Sequence, residues 1–185
     1  QLDYQLTDEV KMYFKFRQKN KSYNHPGENN LINITENTAR QNYRYHIDYR
    51  VSPSFVFKNR VELICYQAPD SSAQTGWLIY QDICYNKPES PLSISLRYAL
   101  FDTDTYNERL YAYENDVLYD YSMTSYYYKG SRAYLLVRYS ISENLDIWVR
   151  YGQTFYSYQQ TISSGSYQIN GNTKSEIKLQ VRLRF

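Results

Sequence analysis

Residues 43–51 read YRYHIDYRV, which places Tyr43, Tyr45, Ile47, Tyr49 and Val51 on one face of an extended chain and Arg44, His46, Asp48 and Arg50 on the other. A helix, with its 3.6-residue turn, would scatter both sets around its axis; only the two-residue period of a β-strand separates them. The same alternation recurs on both sides. Residues 10–17 (VKMYFKFR) set Val10, Met12, Phe14 and Phe16 against Lys11, Tyr13, Lys15 and Arg17, and residues 57–66 (FKNRVELICY) set Phe57, Val61, Leu63 and Cys65 against Lys58, Arg60, Glu62 and Ile64. Residues 77–85, 92–100, 133–141, 145–151 and 176–185 repeat it, the first least regularly because Gln81 falls among Trp77, Ile79, Ile83 and Tyr85. The chain is therefore predicted to be all-β and antiparallel.

Length and composition narrow the choice. At 185 residues the chain is expected to form a single domain, residues 1–185. It contains 24 Tyr and 7 Phe and is 42% hydrophobic, enough to bury a core, so a disordered chain is excluded. No apolar run approaches the roughly 18 residues of a membrane-spanning helix, but that leaves a transmembrane barrel open. A net charge of +2 gives no electrostatic reason to expect nucleic acid as a partner. Cys65 and Cys84 fall on opposite faces of their strands and match no metal-ligand spacing, so neither a disulfide nor a metal or other cofactor is expected. Gln1 in place of methionine, without a basic and apolar leader, is what a processed or trimmed chain would show.

Connection lengths set the expected strand count. Short turns fall at 51–54, 86–91 and 142–144, and long loops at 20–40, 69–76, 101–108 and 152–174. Keeping short turns at one end and long loops at the other requires two crossings within residues 109–128, where RLYAYE and VLYDYSMTSYYY flank Glu114, Asn115 and Asp116. That predicts ten strands, with eight as the alternative if the weakest segments are not crossings. In a ten-stranded ring the last strand would pair with residues 10–17.

Alternation alone does not say which face meets water. In a soluble, secreted Tyr-rich β-sandwich or binding module the apolar face points inward; in a membrane barrel it points out. Tyrosines near strand ends, at Tyr43, Tyr45, Tyr49, Tyr98, Tyr139 and Tyr151, fit interfacial girdles. Arg outnumbers Lys on the polar faces, the choice for enclosed and multiply bonded charge. The final residues KLQVRLRF place Leu179, Val181, Leu183 and Phe185 in phase. They resemble the C-terminal sorting signal of outer-membrane barrels, although Val181 stands where that signal often has glycine. Such a signal implies recognition by the barrel-assembly machinery during insertion. Over the last hundred residues or so, LSISLRYALFDTDTYNERLYAYENDVLYDYS, GSRAYLLVRYSISENLDIWVRYGQT and ISSGSYQINGNTKSEIKLQVRLRF resemble the C-terminal barrel region of Bacteroidota outer-membrane proteins often described as helix-hairpin-helix or competence-like. The resemblance implies a barrel of poorly defined function and carries over no DNA-binding residue. It also implies that the chain could be the end of a longer protein.

The functional expectation is an integral β-barrel of the bacterial outer membrane, embedded in lipid and non-enzymatic. It would act as a small pore or as a structural or accessory component beside other envelope proteins. Its lumen-lining residues would be Arg44, Asp48, Arg50, Arg60, Glu62, Arg97, Arg138, Asp146, Arg150, Arg182 and Arg184. Counting Lys11, Lys15, Arg17, Lys58 and Lys178 with the bases, and Asp82 and Glu176 with the acids, gives thirteen cations against five anions. Such an interior either passes anions or, in a narrow barrel, locks into a salt-bridged plug. A hydrolase at the outer rim, pairing His25 with Asp102 or Asp104, is a remote alternative that no spacing enforces. Calcium at Asp102, Asp104, Asn107 and Glu108 lacks the rest of a binding loop, and turn chemistry is the simpler role.

Overall fold

Each alternating segment forms a strand that runs past at least one of the bounds the alternation marks, although the last stops at Leu183, two residues short of Phe185. The computed structural model describes residues 1–26, 33–69 and 72–185. Its strands are β1 (Leu2–Gln5), β2 (Val10–Pro26), β3 (Asn33–Ser52), β4 (Phe55–Gln67), β5 (Gln74–Asn86), β6 (Leu92–Thr103), β7 (Leu110–Glu114), β8 (Ser122–Tyr126), β9 (Gly130–Ser142), β10 (Leu145–Tyr156), β11 (Thr161–Ile162), β12 (Ile169–Asn170) and β13 (Thr173–Leu183). Nine of them make one sheet in the order β1-β2-β3-β4-β5-β6-β9-β10-β13, with every neighbouring pair antiparallel.

Residues 109–128 do not cross the sheet. β7 and β8 pair only with each other, Leu110 opposite Tyr126 and Glu114 opposite Ser122. β6 and β9 instead pair directly, from Leu92↔Tyr139 to Phe101↔Gly130, and leave no room between them. Among the described residues the long strands therefore number eight, the nine of the sheet less the four-residue β1. The long loop expected at 20–40 is mostly strand as well, since the β2–β3 ladder continues to Pro26↔Asn33. In 152–174, β10 runs on to Tyr156 and the miniature β11–β12 hairpin precedes β13. The expected pairing of β13 with residues 10–17 is also replaced, because β1 holds that edge with Leu2 opposite Phe14 and Gln5 opposite Lys11. Counting directions along the sheet, β1 and β13 run the same way.

The two faces of the sheet have opposite fates. Phe14, Tyr49, Val61, Leu63, Ile79, Leu96, Leu100, Leu135 and Val149 are exposed, and on the last strand Ile177 and Leu179 reach 74% and 70% exposure. Arg60, Glu62, Asp82, Arg97, Arg132, Asp146 and Arg150, on the other face, are buried. The only large apolar cluster among the described residues also lies on this polar side, where Ile64, Leu78, Tyr80, Ala99 and Phe101 of the sheet pack against Leu110, Ala112 and Tyr126 of the hairpin.

The chain leaves β6, builds the hairpin and returns at Gly130. A Cβ there would lie 2.1 Å from the Phe155 carbonyl oxygen and 2.9 Å from the Phe101 ring. Gly130→Ala must push β9 away from β10, and it is expected to cost about 1–3 kcal/mol in denaturant unfolding.

Candidate functional site

The charged face and the hairpin laid on it form one unit. Arginines and a glutamine from five strands donate to main-chain carbonyls along the incoming arm. Arg40 Nη2 reaches the Arg109 oxygen at 2.7 Å, Arg60 Nη2 the Tyr111 oxygen at 3.3 Å and Arg97 Nη1 the Tyr113 oxygen at 2.8 Å. Arg150 Nε reaches the Asn115 oxygen at 3.2 Å, and Gln180 Nε2 the Leu118 oxygen at 2.9 Å. Residues 109–118 thus lie across the sheet from β3 to β13, held in turn by donors from β3, β4, β6, β10 and β13. Four of the five carbonyls receive a cation, which bonds more strongly than a neutral donor.

Carboxylates complete the attachment. Glu114 is fully buried and accepts from Arg132 Nε at 2.7 Å and Nη2 at 2.9 Å, from Arg150 Nη2 at 2.5 Å and from the Tyr126 hydroxyl at 2.8 Å. Glu176 of β13 accepts from the same two arginines, at 2.5 Å and 2.7 Å. Gly152 makes this possible, since a Cβ there would sit 2.6 Å from Glu176 Oε1. Lys178 bonds Asp116 and Asp120 of the hairpin, both at 2.6 Å. Burial alone would raise the Glu114 carboxyl, but the hydrogen bonds and charge of Arg132, with Tyr126 and Arg150, hold it below its ordinary 4.5. Burial likewise opposes Asp116, and its bonds from Lys178 and Ser122 hold that carboxyl below 3.8.

The sheet carries its own pairs. Arg97 forks onto Asp82 at 2.5 Å and 2.7 Å with the Tyr80 ring 3.7 Å beneath its guanidinium carbon. Glu62 accepts from Nε and Nη2 of Arg44, both at 3.0 Å, from Asn42 at 2.6 Å, and from Arg60. At the short-turn end Asp146 gathers Arg138 at 3.0 Å, Arg184 at 3.0 Å, Ser140 at 2.5 Å, and Arg182. The expected lining residues therefore divide. Arg60, Glu62, Arg97, Asp146 and Arg150 are buried, Arg44, Arg138 and Arg182 are partly so, and Asp48, with 40% of its side chain exposed, bonds His46. Arg50 and Arg184 lie at the exposed end. Arg40, Arg132, Glu114, Asp116 and Asp120 are additions, and the last three correct the count of thirteen cations against five anions, because the hairpin brings acids to the face.

Other candidate groups have structural roles. Asp102 pairs with Lys129 at 3.0 Å, and Asp104 accepts from the Thr75 amide at 2.7 Å, both across long sequence separations. Glu108, fully buried, closes a capping box with Thr105, accepting from its amide at 2.7 Å. Only this last is turn chemistry. The His25 side chain lies outside the described residues. Cys65 and Cys84 are both free. Comparison with protein-family models, curated proteins and solved structures finds no match.

Glu114 sets a pH dependence. A carboxyl whose folded pKa is depressed contributes stability that is fully present above its unfolded value and lost as pH falls through the folded one. Unfolding monitored by intrinsic fluorescence should therefore be unchanged on lowering the pH toward 4.5 and shift to lower denaturant below it. In Glu114→Gln the Glu114 part of that shift should be absent.

Proposed function

We propose that this chain forms the wall of a β-barrel in a bacterial outer membrane, with its own β7–β8 segment as a plug. In this reading it acts as a structural or accessory component of the envelope and not as an enzyme. The inverted sheet carries the proposal. Water would penalise a continuous face of exposed leucine, isoleucine, valine and phenylalanine, whereas lipid tails do not. Burying Arg97, Arg132 and Arg150 is tolerable because each is paired, as a water-poor barrel interior requires. A sandwich would cover the apolar face with a second sheet, and the described residues place nothing on it.

Strand stagger supports curling. The directly opposed row Val10, Tyr49, Phe57, Ile83, Leu96, Leu135, Tyr151 and Ile177 begins at the first residue of β2 but meets β13 six residues before its last, Leu183. Progressive offset of this kind accompanies tilted strands in a barrel. The sheet strands β4, β5, β6, β9, β10 and β13, of 11 to 13 residues, fit the ~9–11 residues of a tilted crossing with a turn at each end. Open edges are not tolerated in hydrocarbon. Because β1 and β13 are parallel in direction, an all-antiparallel closure takes an odd number of further strands between them. Those strands, lipid and the barrel-assembly machinery are the expected partners.

Planar-bilayer recording tests the plug. Inserted protein should leave the membrane electrically silent; open, anion-selective steps of unit size would replace the plugged reading with a pore.

A further inference from the structure

Between β2, β3, β4 and β7 lies a cleft of about 280 Å³ whose walls include Lys15, Arg17, Lys19, Arg40 and Arg44. Its single carboxylate, Glu62, is already taken by Arg44, Arg60 and Asn42. Lys15 stands directly opposite Arg44, and Lys19 opposite Arg40. Like charges facing across an antiparallel pair destabilise it. Elsewhere on this face the opposed residues are complementary, as in Lys58↔Asp82 and Asp82↔Arg97. The like pair Arg150↔Lys178 is relieved by Glu114, Asp116, Asp120 and Glu176. Over the cleft the hairpin offers no such relief. It presents Leu110 and Tyr111, and the Arg40 guanidinium settles for the Arg109 carbonyl. Among the described residues, no carboxylate forms an ion pair with Lys15, Arg17, Lys19 or Arg40.

We propose that this cleft binds a phosphate-type oxyanion carrying two or more negative charges. Two facing cation pairs separated by an open space suit a ligand that accepts from both strands at once, and the Arg17 guanidinium, which no carboxylate among the described residues takes up, offers a fork that matches phosphate oxygens. The cleft belongs to the polar face, opposite to the side of Phe14 and Phe16, so the ligand is a water-borne anion and not a lipid headgroup. Oxyanion binding is inferred from the sheet and hairpin geometry alone; the choice of a water-borne anion over a lipid headgroup rests on the membrane reading.

Pyrophosphate is the probe, added to the folded protein in neutral detergent. Wild type should show saturable calorimetric binding and a rise in the unfolding midpoint. Lys15→Gln and Lys19→Gln should each weaken binding about tenfold or more, roughly the loss of one charge-assisted bond, whereas Lys58→Gln, which removes a cation outside the cleft set opposite Asp48 and Asp82, should change it less than about twofold. Without ligand, Lys15→Gln and Lys19→Gln should raise the midpoint, because each removes a like-charge opposition; a lysine with a structural partner would lower it. Absence of binding by wild type, equal weakening in Lys58→Gln, or a lowered ligand-free midpoint in both cleft variants would overturn the proposal. So would a response only to phosphatidic acid in mixed micelles and none to pyrophosphate.

Discussion

Glu114→Gln is expected to lower the unfolding free energy by about 3–5 kcal/mol, the cost of removing one partner from a buried charge cluster. Glu114 is the one carboxylate that joins Arg132 of β9 and Arg150 of β10 to Tyr126 of the hairpin. The amide preserves volume but cannot neutralise two guanidiniums, which are left with Glu176, bonded to both, and with Asp116, 3.7 Å from Arg150. Because the same contact seats the hairpin, protease cutting between Asn115 and Tyr121 should accelerate in parallel with the loss of stability. Urea unfolding in detergent together with timed proteolysis reads both. A loss below about 1 kcal/mol, the scale of an exposed ion pair, would mean that the hairpin is not anchored through Glu114.

The second large effect differs in size according to whether lipid or water meets the exposed apolar face. Leu135→Arg should destabilise the bilayer-inserted protein by about 2–4 kcal/mol if the residue is near the bilayer midplane. Leu135 lies in the middle of β9, opposite Leu96 on one side and Tyr151 on the other, and is exposed on the apolar face. If water met this uncovered face, the same substitution would place a charge on an exposed position, where surface changes usually cost within about 0.5 kcal/mol, and would improve solubility. Folding into phosphatidylcholine vesicles, followed by denaturant titration of wild type and variant, separates the two.

The wall was legible because both of its faces are chemically constrained. Tyr45, Ile47 and Tyr49 alternate with Arg44, His46 and Asp48 wherever one side must be apolar and the other polar. The extension of β2 and β3 past Asn20 and Arg40 was not, since that arm is joined by main-chain pairing and by polar bonds such as Ser22 to Asn37 and Thr38 to the Lys21 carbonyl, none of which needs apolar alternation. The hairpin was misread for the opposite reason. Leu110, Ala112 and Glu114 alternate with Tyr111 and Tyr113 as a wall strand would, and the partners that distinguish it, Arg132, Arg150 and Lys178, lie far away in sequence. One local signal was available: β7 and β8 have five residues each, about half of what a spanning strand needs. Arg40 and Arg132 escaped notice because each sits where the apolar alternation fades, so no pattern marked which way it points.

Collision accessibility of spin labels in a lipid bilayer tests the inverted sheet most directly. With Cys65→Ser and Cys84→Ser as background, labels are placed singly at Leu96, Leu135 and Val149 on the apolar face and at Lys15 and Arg17 on the polar face. The membrane-barrel account predicts that labels at the first three positions relax with dissolved oxygen and are shielded from a water-soluble nickel chelate, and that those at Lys15 and Arg17 behave in the reverse way. Nickel accessibility at Leu96, Leu135 and Val149 equal to that at Lys15 and Arg17 would contradict it.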